Sequence, residues 1–179
     1  MYELLKSSSA LIIDVRGNVG GNTGAGMYIL QHLANEPFLG SAWAISTYVP
    51  PIYSAGREGR WHEASIIQPI GSKDIYSKPV VVLTDAGTFS AAEDFCVAFR
   101  NMKRGKLIGT TTGGSTGNPL EISLPGDVHA MICTKKDRYP DGTIFVGVGI
   151  IPDIEVKETV DSFLQEKDLV LEKAVQLLK

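Results

Sequence analysis

Two short apolar runs without alternation, residues 10–15 (ALIIDV) and 79–83 (PVVVL), are each followed by a polar, glycine-containing stretch and then by helical periodicity. Unbroken apolar runs of this length predict strands covered on both faces, as in a parallel sheet. After the first run, Met27, Leu30 and Leu33 recur every third residue over 25–33, which predicts a helix that Pro37 stops. After the second, Ala92, Phe95, Cys96, Phe99 and Met102 share one face over 91–102. The pattern is a β-loop-α unit used twice, and the fold class is α/β.

Between these units, residues 36–79 are irregular, with Pro50, Pro51 and Pro69 interleaved with Trp43, Tyr48, Tyr53, Trp61 and Tyr76. One strand is expected there, over 42–49. A stretch this long in a compact domain is a functional loop or lid, or an aromatic insertion packed on its own core. Beyond residue 102, strands are expected at 106–108, 120–124, 130–134 and 144–148, separated by PGD and PDG turns. A closing helix follows over 168–178, with Leu171, Val175 and Leu178 turned inward. No repeat or linker interrupts the chain, so residues 1–179 are expected to form one domain.

Composition narrows the classes. With 44% hydrophobic and 21% charged residues among 179, the chain can bury a core. A net charge of −3 provides no footprint for nucleic acid. Cys96 and Cys133 both fall in apolar patterns and read as two buried thiols rather than a disulfide. His32, His62 and His129 stand in no ligand spacing with each other or the cysteines, so no metal site and no cofactor are expected. No apolar run reaches the ~18 residues of a membrane span, and the N-terminal residues lack the pattern of a secretion signal.

Chemistry concentrates after the two buried strands. In TDAGTFSAAE, residues 84–93, Ser90 falls at the first turn of a helix, where free N–H groups and the helix dipole stabilise an acyl-transfer oxyanion. The same Ser90-x-x-Glu93 spacing is also that of a capping box, with no role beyond satisfying the helix end. After the first strand, Gly20 and Gly21 allow a close backbone approach to an anion or polarised carbonyl, or they make an ordinary tight turn. The glycines match neither nucleotide-binding spacing.

Four segments in order carry a resemblance: LIIDVRGNVGG (11–21), TFSAAE (88–93), IGTTTGG (108–114) and GVGIIPDIEV (147–156), with KDLVLEKAVQLL (167–178) as a closing helix. Together they resemble the C-terminal processing, or tail-specific, serine peptidases, related to the tricorn core and to interphotoreceptor retinoid-binding protein. The resemblance implies a ClpP/crotonase-like core of β-β-α spiral turns. It implies Ser90 as nucleophile and the amides of Gly20 or Gly21 and of Ala91 as the oxyanion hole. The substrate implied is a peptide or unfolded protein, and relatives of this kind suggest the cell envelope, periplasm or export.

The chain departs from the family pattern where the general base belongs. Ser115 occupies the position of the lysine that serves as base in one branch, and a hydroxyl cannot replace an amine there. The tricorn branch uses a histidine upstream of the first strand and a glutamate before the final glycine motif; residues 145–148 (FVGV) offer no such glutamate. The expectation is that the chain is truncated on its N-terminal side and that the base lies upstream. The rival reading is a ligand- or peptide-binding protein that keeps the fold without catalysis.

Overall fold

The computed structural model describes residues 2–47, 55–56, 60–68 and 75–179. Its elements run α1 (Tyr2–Ser7), β1 (Leu11–Asp14), α2 (Thr23–Gln31), β2 (Phe38–Thr47), β3 (Arg60–Gln68), β4 (Val80–Thr84) and α3 (Ala91–Asn101). There follow β5 (Gly105–Gly109), β6 (Pro119–Leu124), β7 (Val128–Cys133), β8 (Lys135–Arg138), β9 (Ile154–Glu155), α4 (Val160–Leu164) and α5 (Leu169–Leu178). Both apolar runs become parallel neighbours in a sheet of order β1-β4-β5-β9, with Leu11 opposite Val80 and Val82 opposite Leu107.

All five residues of β4 are buried, as an unbroken apolar run requires. Side chains alternate across a strand, so Val80 and Val82 face α2 and α3, packing with Leu30, Phe95 and Phe99. Val81 and Leu83 face the other way, onto Val170 and Ala174 of α5. The sheet is thus a middle layer between helices, and the C-terminal ends of β1 and β4 open on the same rim.

Two smaller sheets complete the fold: β3-β2-β8, antiparallel throughout, and the β6-β7 hairpin. The strand expected at 42–49 starts earlier, at Phe38, and its expected end at Val49 lies outside the described residues. Three expectations are corrected. Residues 144–148 form no strand, because Gly147 and Gly149 take positive φ (81° and 89°) and the amides of Val148 and Gly149 turn back onto the Phe145 carbonyl. The chain there inserts the Phe145 ring into the core.

In the closing helix, Val170 and Ala174 are the buried residues, while Leu171 and Val175 are each 40% exposed. The helix is rotated by about one residue from the expected face. Cys133, expected inside, is exposed, because β6 and β7 pair only with each other and leave both faces of the hairpin to solvent. Cys96 is buried, its thiol pushed up to about 12 by desolvation, and the two cysteines are free.

Candidate active site

The turns after β1 and β4 are stitched to one another. The Asp85 carboxylate accepts the amides of Gly87 and Gly17, each at 2.9 Å, and so spans from its own turn to the other. Thr88 donates its hydroxyl to the Val15 carbonyl at 2.8 Å, and the Phe89 amide donates to the Asn18 carbonyl at 2.9 Å. Gly20 completes the contact. It has φ +101°, and a Cβ there would lie 2.6 Å from the Ser90 Cβ, so no other residue fits against the serine.

Ser90 stands at the start of α3 with φ 54° and ψ −123° and makes no side-chain capping bond. A non-glycine residue held in this region stores strain of about 1–3 kcal/mol, and it persists only where surrounding contacts over-determine it. Strained serines on a strand-to-helix turn expose their Oγ above the sheet. The capping box is therefore not formed. Glu93 turns instead into the core, fully buried, and accepts from the Thr112 hydroxyl (2.5 Å), the Gly114 amide (2.8 Å) and the Ser115 amide (2.9 Å). The Ser115 carbonyl in turn accepts the Ser90 amide at 3.0 Å. Glu93 thus fixes the loop that fixes Ser90.

Of the amides expected as oxyanion donors, Gly20 donates to Asn18 Oδ1 at 2.9 Å. Those of Gly21 and Ala91 have no acceptor among the described residues. Gly21 and Ser90 line one cleft of about 400 Å³. Ser115, expected at the family's lysine position, abuts Ser90 through its backbone and has no amine to offer.

Two of the three histidines lie away from the cleft lining. His32 follows α2, its ring edge-on to Tyr28 with centroids 4.9 Å apart. His129 lies exposed on the hairpin, 3.4 Å from Glu121. His62 is placed only by backbone register, opposite Ile45, and its side chain falls outside the described residues. No group of three or more His, Cys, Asp or Glu residues suited to a metal occurs among the described residues, and no helix among them is long and apolar enough to cross a membrane.

Three residues at the cleft went unpredicted: Asp94 and Lys135, which line it, and Asp137, behind Lys135. Asp94 follows Glu93 and is buried, with its oxygens accepting the hydroxyls of Thr23 (3.0 Å) and Ser41 (2.8 Å). Lys135 and Asp137 alternate along β8, and Lys135 Nζ lies 2.8 Å from the Asp137 carboxylate. Asp137 has no directed hydrogen bond, and burial pushes its carboxyl above the usual range.

The glycine loop is anchored at its base by Arg16, which donates to Asp14 and, at 2.9 and 2.7 Å, to both oxygens of Asp168, the N-cap of α5. Hydrogen bonds from Arg16 hold both carboxyls below their ordinary values. Depressed carboxyl pKa values stabilise the fold above the unfolded-state value near ~3.9, and that stabilisation is lost as pH falls through the folded values. Arg16→Met is expected to destabilise the protein by about 1 kcal/mol at pH 7, discounted because the carboxylates are partly exposed. Urea unfolding of both proteins checks this: the difference should shrink toward zero below pH ~3, and a constant difference would remove the electrostatic explanation.

Known proteins resemble this chain in sequence and fold. The chain is 28% identical to the chloroplastic C-terminal processing peptidase of Tetradesmus obliquus over 88% of its own length and 31% of that protein's. It is 27% identical to the carboxy-terminal processing protease CtpB of Bacillus subtilis over 86% and 29% of the respective lengths. It therefore spans about a third of these relatives. The crystal structure of mature CPAF, 18% identical, superposes with a TM-score of 0.79 over 99% of this chain and 46% of that one, which shows the shared ClpP/crotonase-like fold. Residues 1–156 match the model of peptidase family S41, and the chain belongs to that family.

Proposed function

We propose that the chain is the catalytic core of a serine-type endopeptidase in which Ser90 attacks the peptide carbonyl. The observation that carries the reading is Ser90 itself: strained, uncapped, and lining one cleft with Gly21, whose amide has no acceptor among the described residues. In the reaction Ser90 Oγ bonds to the carbonyl carbon and its proton passes to a general base. The amides of Gly21 and Ala91, joined by Gly20 when Asn18 releases it, donate to the oxyanion. Collapse expels the protonated amine and leaves an acyl-enzyme, which water hydrolyses. This chemistry needs no metal or cofactor. The substrates are peptides or unfolded protein segments, and by family the protein works at the cell envelope or beyond it.

The family pattern puts the base outside the described residues. Ser115 carries no amine, His32 and His129 lie away from the cleft lining, and the Lys135 ammonium is engaged by Asp137 at 2.8 Å. Labelling by a fluorophosphonate tests both statements. The full-length protein is expected to label at Ser90, and the 179-residue chain to label about 100–10,000-fold more slowly, the usual worth of general-base assistance. Equal rates would put the base inside this chain. No labelling of either would favour the binding-protein reading.

A further inference from the structure

The cleft beside Ser90 is walled by the β3-β2-β8 sheet on one side and by α2 and the start of α3 on the other. Trp43 and Ile45 of β2 and Ile66 of β3 line it opposite Met27. In register, Trp43 pairs with Asp137 and Ile45 with Lys135, so both charges of β8 share the face of those apolar side chains. The walls are apolar, and the polar groups sit among them.

Three of the lining polar side chains are engaged with one another. The hydroxyls of Thr23 and Ser41 donate to Asp94, which is 3% exposed and has each oxygen occupied. Asp137 lies wholly behind Lys135, with no side-chain exposure, whereas the Lys135 side chain keeps 19%. An ammonium has three N–H donors, and among the described residues Asp137 is the one acidic group within ion-pair reach of this one. Among the charged side chains lining the cleft, Lys135 is the one with donors left to give.

We propose that this cleft receives the side chain of a residue flanking the scissile bond, and that Lys135 determines which one: a side chain with an apolar stem and a hydrogen-bond acceptor at its tip, glutamine or glutamate. The inference rests on the peptidase reading. The stem lies against Trp43, Ile45 and Met27, and the tip oxygen meets the ammonium. Leucine fills the same volume, but it strips water from the Lys135 donors without replacing it, and sites built around such donors reject the analogue lacking the acceptor. Glutamate gains no advantage over glutamine, because Asp94 and Asp137 outnumber the one cation. A lysine tip meets the Lys135 ammonium and finds Asp94 already filled.

The test uses the full-length protein and internally quenched alanine-rich peptides with one central residue: Gln, Glu, Leu or Lys. Gln and Glu peptides are expected to exceed the Leu peptide in kcat/KM by about 10–100-fold, with Lys lowest. In Lys135→Met the order should reverse, with Leu ahead. A preference for Leu or Lys in the wild type, or an unchanged ratio in Lys135→Met, overturns the inference. Should that variant fail to fold because Asp137 is left unpaired, Lys135→Met combined with Asp137→Leu removes both charges and makes the same prediction. If no peptide turns over, the peptidase reading fails on its own, and fluorescence anisotropy of the same four peptides with Ser90→Ala still ranks the subsite, with a missing Gln and Glu preference counting against it.

Discussion

Replacing Ser90 by alanine in the full-length protein is expected to abolish peptide hydrolysis without destabilising the fold. A working N-cap serine is worth ~1 kcal/mol, but this one makes no capping bond, so alanine forfeits nothing there. Glycine at the same position sharpens the test. It accepts φ 54° and ψ −123° freely, which releases strain of ~1–3 kcal/mol, while its extra freedom in the unfolded chain takes back ~0.5–1 kcal/mol. Ser90→Gly should therefore be inactive and more stable than the wild type by about 1 kcal/mol in urea titrations. Residual turnover in either variant would remove Ser90 from the chemistry, and a less stable glycine variant would contradict the strain.

The second large effect is expected at Glu93. Its carboxylate receives three donors in a fully buried setting, and Glu93→Ala leaves the Thr112 hydroxyl and the Gly114 and Ser115 amides without an acceptor. Each unsatisfied buried donor costs about 1–3 kcal/mol, so a total loss of ~3–5 kcal/mol is expected after local relaxation. Glu93→Gln keeps the oxygen that serves Thr112 and Gly114 but presents an N–H₂ to the Ser115 amide; a loss of ~1–2 kcal/mol follows. Because the Ser115 carbonyl holds the Ser90 amide, kcat should fall by ~100-fold in the glutamine variant, with KM little changed, since small displacements of a nucleophile carry penalties of that size. A glutamine variant with reduced stability and full kcat would confine Glu93 to a structural role.

What could be read in advance was whatever depends on neighbours in sequence. The runs 10–15 and 79–83 announced buried parallel strands because their apolar residues do not alternate with polar ones, and Phe95 and Phe99 announced the inner face of α3. Ser90, Gly20 and Gly21 stood out for the same local reason. Glu93 was misread because the capping box is a local rule, and here three donors from residues 112–115 outcompete the helix end for its carboxylate. The KKDR strand was missed because its strand character comes from pairing with β2, which no property of four charged residues reveals. With β8 hidden, Lys135 could not be placed beside Ser90. The reverse error at 144–148 came from weighing apolar residues above two glycines whose positive φ breaks an extended chain.

The bond from the Gly17 amide to the Asp85 carboxylate closes a loop across 68 positions of the chain. Contacts of such separation form late, because the entropy of closing the intervening chain must be overcome before they return any stabilisation. Ser90 and the glycine turn are therefore expected to meet only late in folding. On the peptidase reading, a newly made copy would be no hazard to its unfolded siblings until it is itself too well packed to be their substrate.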